Sequence, residues 1–289
     1  MDVVIERNGF RLVLMPELGG SVRSFTWNGQ DILRPALEPT PASLLDTAAF
    51  PLFPFSGRID HGRFIWNGRE VQLRANFPPE PHAIHGQAWL APWSVEEIHP
   101  AAVSLAYLHA PGHWPWEYRA IQRFELLDNG LKLGMELTNL SDEDMPSGLG
   151  WHPYFPRGDA ELSANVSDIW VAESGMIPDR RAPLGTGTDI RSARKVDELD
   201  LDNAFTARPA NADIVWPATE TFVSITSSPE LGHLVVYVPS GRDFFCVEPV
   251  SHSPDAINSL HETSVTGLRV LTPGETLSAS IILEIGKKA

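Results

Sequence analysis

The chain has 289 residues, 43% of them hydrophobic and 9% aromatic, and a formal net charge of −15. That apolar fraction supplies a sizeable core and excludes a disordered chain. The acidic balance opposes the counterion release that rewards nucleic-acid binding and offers no basic patch to an anionic membrane, so neither partner is expected and a small neutral ligand fits best.

Asn-Gly, the pair that best tolerates the positive φ values of a type I′ turn, stands at 8–9, 28–29, 67–68 and 129–130, and each occurrence predicts a hairpin. Ile5 and Phe10-x-Leu12-x-Leu14 flank the first, Phe25-x-Trp27 and Ile32 the second, and Phe64-x-Trp66 and Val71-x-Leu73 the third. Between the second and third, residues 43–49 predict one short turn of helix. After the fourth pair, Leu131, Leu133, Met135 and Leu137 alternate with Lys132, Gly134 and Glu136, the pattern of a half-buried strand. Branched and aromatic runs at 168–172, 222–226, 233–238, 244–248 and 278–285 predict further strands. Residues 173–200 form the longest irregular stretch and are expected as a surface excursion. Ser253-Pro254-Asp255 reads as a cap with proline at the first helical position. The 25 prolines and 22 glycines are spread along the chain, so one domain over 1–289 is expected. Roughly fifteen to twenty short strands at turn-punctuated spacing make the fold class all-β, a large antiparallel β-sandwich.

The single cysteine, Cys246, excludes an intrachain disulfide, and its apolar run predicts a buried thiol. Residues 1–7 lack the basic segment and apolar run of a signal peptide, and no stretch approaches a membrane span, so the cytoplasm is the expected compartment. Gly-x-Ser-x-Gly, Gly-x-x-x-x-Gly-Lys-Ser/Thr and His-Glu-x-x-His are all absent, which removes most support for acyl transfer and nucleotide hydrolysis.

Gly150-Trp151-His152-Pro153-Tyr154-Phe155 sets one imidazole among aromatics. His152 can give or take a proton near neutral pH, and flat rings offer the surface a sugar packs on; the bland alternative is a histidine in a packed aromatic corner. Glu248 closes the apolar run Phe244-Phe245-Cys246-Val247-Glu248. A lone acid there is either desolvated, with the raised pKa a general base needs, or a charge emerging at the sheet rim. Asp202 precedes Asn203 in a pair that commonly forms turns. Arg58 follows an aromatic-proline turn and could clamp a hydroxyl or lay its stem along the surface. His82 and His85 would fall on opposite faces of a strand, which leaves a shared metal little support. Trp114, Trp116, Trp89 and Trp93 are possible sugar platforms, though most of nine tryptophans belong in a core.

Taken in order, five segments resemble motifs of the aldose 1-epimerase (galactose mutarotase-like) family, and the resemblance covers nearly the whole chain. Pro54-Phe55-Ser56-Gly57-Arg58-Ile59 is similar to its Asn-Arg-Ile segment, His85-Gly86 to its His-Gly, and His152-Pro153-Tyr154-Phe155 to its His-Pro-Tyr-Phe. Asp202-Asn203-Ala204-Phe205 and Val247-Glu248-Pro249 complete the set. The resemblance implies a β-supersandwich and cofactor-free interconversion of the α and β anomers of free sugars, with no metal. It implies Glu248 as the base on the anomeric hydroxyl, His152 as the acid on the ring oxygen, and His85, Arg58 and Asp202 holding ring oxygen and hydroxyls. Gly57 stands where the family usually has asparagine, and residues 86–93 look closer to its divergent bacterial branch, so glucose, galactose, arabinose and an acid sugar all stay open as substrates. A non-catalytic sugar-binding protein and a glycosidase using Asp202 and Glu248 are the competing readings. Either a monomer or a homodimer is compatible with the sequence.

Overall fold

In the computed structural model, which describes residues 1–37, 41, 43–172, 177–178 and 180–288, three of the four Asn-Gly pairs make the expected turns. Asn8 and Gly9, Asn28 and Gly29, and Asn67 and Gly68 all have positive φ, as a type I′ turn demands. They join Val3–Arg7 to Phe10–Met15, Ser21–Trp27 to Gln30–Asp31, and Arg63–Trp66 to Arg69–Gln72. The fourth hairpin is present but shifted by one residue, because Leu127 pairs with Gly130 and the loop is Asp128-Asn129. Gly130 is drawn into a strand on its other side, where it pairs with Glu284.

Among the described residues the strands assemble into an 11-stranded and a 9-stranded antiparallel sheet with three small pairs. The larger sheet runs Val3–Arg7, Phe10–Met15, Ser21–Trp27, Ala49–Leu52, Gly150–Pro156, Phe244–Val250, His233–Tyr237, Asp202–Thr206, Asp168–Val171 and Arg180–Pro183. The smaller is built around Tyr118–Leu127, Gly130–Asn139 and Thr276–Lys287. Among the described residues there are 26 strands, more than sequence patterning predicts. The surplus consists of short pieces such as Arg58–Ile59 and Ala83–Ile84, too brief to carry an alternating signature.

Period-2 geometry divides the central strands of the larger sheet into two faces. Trp151, Phe155, Phe245, Val247, Leu234 and Val236 point inward and meet Phe124, Leu133, Met135 and Ile281 of the smaller sheet in one apolar core. That core draws on residues from Ile5 to Ile285. The alternate residues Phe50, Leu52, Tyr154, Cys246 and Val250 join Leu44, Ile84 and Trp89 in a second cluster on the opposite face. A sheet buried on both faces explains why Gly150–Pro156 and Phe244–Val250 read as continuous apolar runs.

Residues 43–49 do form a helical turn, Leu44–Asp46, closed by a capping box between Ser43 and Asp46. Ser253-Pro254-Asp255 does not start a helix. Asp255 sits at φ 51° and its carboxylate accepts hydrogen bonds from the Asp60 N–H and from Asn258, so the segment closes as a loop against Arg58–Ile59. Of the 173–200 excursion, residues 173–176 and 179 lie outside the described residues. Arg180–Pro183 adds an edge strand to the larger sheet, and Ile190 and Val196 are buried.

Candidate active site

The outer face of the larger sheet forms the floor of a cleft of about 1060 Å³. Its chemistry follows from register. Gly150 lies opposite Val250 and Tyr154 opposite Cys246, so His152 and Glu248 face each other across adjacent strands on the same side of the sheet. Their side chains meet with Nε2 and Oε1 3.3 Å apart. Phe50 pairs with His152 on the other flank and stacks on its ring at 4.5 Å, and Tyr154 stacks on it at 4.8 Å.

Glu248 is only 3% exposed, which excludes the rim position. Burial pushes its carboxyl well above the usual range, with Asp202 adding to the effect and Arg58 opposing it. Burial acts in the opposite direction on His152, holding its imidazole down at about 3, and Nδ1 has no hydrogen-bond partner. Both shifts favour uncharged forms, a protonated carboxyl beside a neutral imidazole.

His85 stands edge-on to His152, with ring centroids 5.6 Å apart. Its backbone and that of Gly86 are both left-handed, at φ 60° and 72°. A Cβ on residue 86 would lie 2.0 Å from the Phe53 carbonyl oxygen, so only glycine lets the chain pass there. The Gly57 N–H donates to His85 Nδ1, which leaves the proton of the neutral ring on Nε2. Gly57 itself has φ +67°, a region asparagine also visits, and an added Cβ would press on Pro254 at 3.3 Å.

Arg58 lines the cleft but is not a free clamp. Its Nε and Nη2 donate to the two carboxylate oxygens of Glu80 at 2.8 and 2.7 Å. Burial alone would lower the guanidinium, but Glu80 more than offsets it, and Arg58 in turn draws the Glu80 carboxyl down. Nη1 is the end left for a ligand. Asp202 opens the strand Asp202–Thr206 rather than a turn and also lines the cleft. Solvent reaches it through the mouth, yet the walls strip enough hydration to raise its pKa, against the pull of Arg58. All five residues expected from the sequence therefore border one cavity.

Sequence reasoning missed Glu80, Arg34 and Tyr237, which border it too. Glu80 lies in Pro78-Pro79-Glu80-Pro81, where no periodicity marks a face; only the surplus of prolines around one acid could have drawn notice. Of the tryptophans considered as platforms, Trp89 lines the cleft, whereas Trp93, Trp114 and Trp116 belong to the main core.

Two groups among the described residues could bring three metal ligands together. Asp60, His61 and His82 form one, away from His85. There His82 Nδ1 already accepts the His61 N–H. The other is His152, Cys246 and Glu248. A metal would need the Cys246 thiolate, yet burial and then Glu248 push that thiol well up.

A sandwich of large antiparallel sheets with a carboxyl–imidazole pair at the floor of a cleft on one outer face defines the class. The chain belongs to the aldose 1-epimerase family, whose model matches residues 1–284. It is 29% identical to an uncharacterized Escherichia coli K12 protein, YphB, over 276 residues, 92% of this chain and 93% of that one. A crystal structure of a candidate aldose 1-epimerase from Escherichia coli K12 covers 99% of both chains with a TM-score of 0.89 and 27% identity. A galactose mutarotase-like protein from Clostridium acetobutylicum has the same fold, with a TM-score of 0.87, 21% identity, and coverage of 99% of this chain and 95% of its own. No helix among the described residues is long and apolar enough to cross a membrane.

Proposed function

We propose that the protein is a cofactor-independent aldose 1-epimerase, interconverting the anomers of a free aldose by opening and closing the hemiacetal ring. The observation that carries this reading is the His152–Glu248 pair, 3.3 Å apart and buried at the cleft floor. Ring opening removes the proton on the anomeric oxygen and delivers one to the ring oxygen. A pair that holds one proton is suited to both acts, because the proton it gives up at one oxygen is replaced by the proton it takes from the other.

Glu248 is the base for the anomeric hydroxyl and His152 the acid for the ring oxygen. Hydroxyls entering the cleft restore polar surroundings to both groups, which brings the charged arrangement, carboxylate and imidazolium, within reach. After opening, the proton is on Glu248 and the imidazole is neutral, the arrangement that burial favours. Closure on the opposite carbonyl face reverses the transfers and gives the other anomer. His85 Nε2–H, Arg58 Nη1 and Asp202 hold ring oxygen and hydroxyls. Each proton transfer is worth about 10²–10⁴-fold.

Polarimetry on freshly dissolved α-anomers tests the reading. The protein accelerates the approach to equilibrium if it is an epimerase, whereas a sugar-binding protein on the same fold leaves the spontaneous rate unchanged. Release of an aryl leaving group from a glycoside would instead point to Asp202 and Glu248 as glycosidase carboxylates.

A further inference from the structure

The net charge of the chain favours a neutral ligand, but the cleft holds a cation with no ion-pair partner among the described residues. Arg34 lies on the cleft wall, its Cζ 4.1 Å from the centre of the Tyr154 ring and 4.5 Å from that of Phe244. Its Nη2 donates to the carbonyls of Leu45 and Thr47, and Nε is buried without a partner. Among the described residues no carboxylate forms an ion pair with it. Asp243 and Asp46 act on it only at a distance, and Asp46 accepts the Ser43 N–H. Nη1 is thus the one end of the guanidinium with neither a protein partner nor a burial that closes it off.

A partly buried cation in direct contact only with ring faces and carbonyls, its nearest carboxylates acting at a distance, has room for a carboxylate in contact. Position agrees with charge. Tyr154 separates the cation from the catalytic pair, stacking on His152 at 4.8 Å with Arg34 at 4.1 Å over its ring, so Cζ is within about 9 Å of the imidazole. Both groups line the same cleft, so one sugar can touch the pair and the guanidinium by lying beside the Tyr154 ring.

We propose that the cleft selects aldoses carrying one negative charge remote from the anomeric carbon, hexuronic acids, with Arg34 Nη1 receiving the carboxylate. The proposal rests on the epimerase reading and adds a substrate class to it. One free nitrogen on a cation without an ion pair suits a monoanion. A phosphate dianion would leave a net negative charge close to Glu248 and Asp202.

The test is anomer exchange followed by NMR for glucuronate, galacturonate, glucose, galactose and glucose 6-phosphate, with wild type and Arg34→Met. The expected result is higher kcat/KM for a uronate than for its neutral parent. In Arg34→Met the uronate value falls about tenfold or more, as loss of a charge-assisted hydrogen bond implies, while the neutral sugars change by less than about threefold. Arg34→Lys, which keeps the charge, retains part of the preference. Equal kcat/KM for uronate and parent in wild type, a phosphate preferred to both, or a uniform loss across sugars in Arg34→Met would each overturn it. Should no sugar exchange faster, the epimerase reading fails by itself, and calorimetry with glucuronate still decides the anion site. Tenfold weaker binding to Arg34→Met supports it, and equal binding overturns it.

Discussion

His152, His233 and Glu248 show how burial dominates the pH behaviour of single residues. His152 and His233 are both held at about 3, chiefly by loss of hydration and, for His233, also by His252 beside it, and both ring nitrogens of His233 are buried without a well-aligned hydrogen bond among the described residues. In the unfolded chain a histidine takes up its proton near pH 6.5. Between about pH 6.5 and 3 the unfolded state therefore binds protons that the folded state does not, and stability falls as pH falls. The melting temperature should drop steadily from pH 7 to 4, and His233→Gln should make that slope shallower; an unchanged slope would remove His233 from the account. The sign reverses for Glu248. Its folded carboxyl keeps a proton above the unfolded value, so its contribution falls as pH rises through that window. Glu248→Gln should be at least as stable as wild type at pH 7 by thermal unfolding, while a charge satisfied at a rim would show no such relief. His152→Asn and Glu248→Gln combined should cost much less than the product of the two single losses, since one proton-relay step is broken either way.

The element that most strictly shapes the site is the left-handed step at His85-Gly86. Gly86→Ala must place a Cβ 2.0 Å from the Phe53 carbonyl, and the forced backbone shift carries His85 with it. Strain of this kind costs about 1–3 kcal/mol or more. Denaturant unfolding should show a loss of that order together with slower anomer exchange; a variant with wild-type stability would mean the turn is free to adjust. Three hairpins and the strand over 131–137 were legible in the sequence, because Asn-Gly turns and alternation are local signals. The loop at Asp255 was not, because its proline suggests a helix while its fate is decided by the Asp60 N–H, a partner remote in sequence. Glu80 was equally hidden. Its meaning is the bidentate grip on Arg58, and Glu80→Gln should raise KM for the sugar several-fold with kcat nearly unchanged. A fall in kcat alone would place Arg58 in the chemical step instead.

At the scale of the whole molecule, two sheets share one core and leave the outer face of the larger one free to carry function. The family resemblance implied which five residues belong together, but not how. That His152 and Glu248 touch depends on strands nearly a hundred residues apart in the chain adopting one register, which no local pattern encodes. Arg34 was invisible for the same reason, its partners Tyr154 and Phe244 arriving from distant strands. Since the proposed mechanism draws acid, base and hydrogen-bond donors from side chains, exhaustive chelation should leave the rate intact; a large loss restored by zinc would point to a metal held at His152, Cys246 and Glu248. The most direct measurement is the rate of anomer exchange in wild type and Glu248→Gln, read by NMR on sugars at equilibrium. The account predicts a loss of about 10²-fold or more with sugar binding retained, the cost of removing a general base. Exchange by the variant at more than roughly a third of the wild-type rate, far above that expectation, would contradict it.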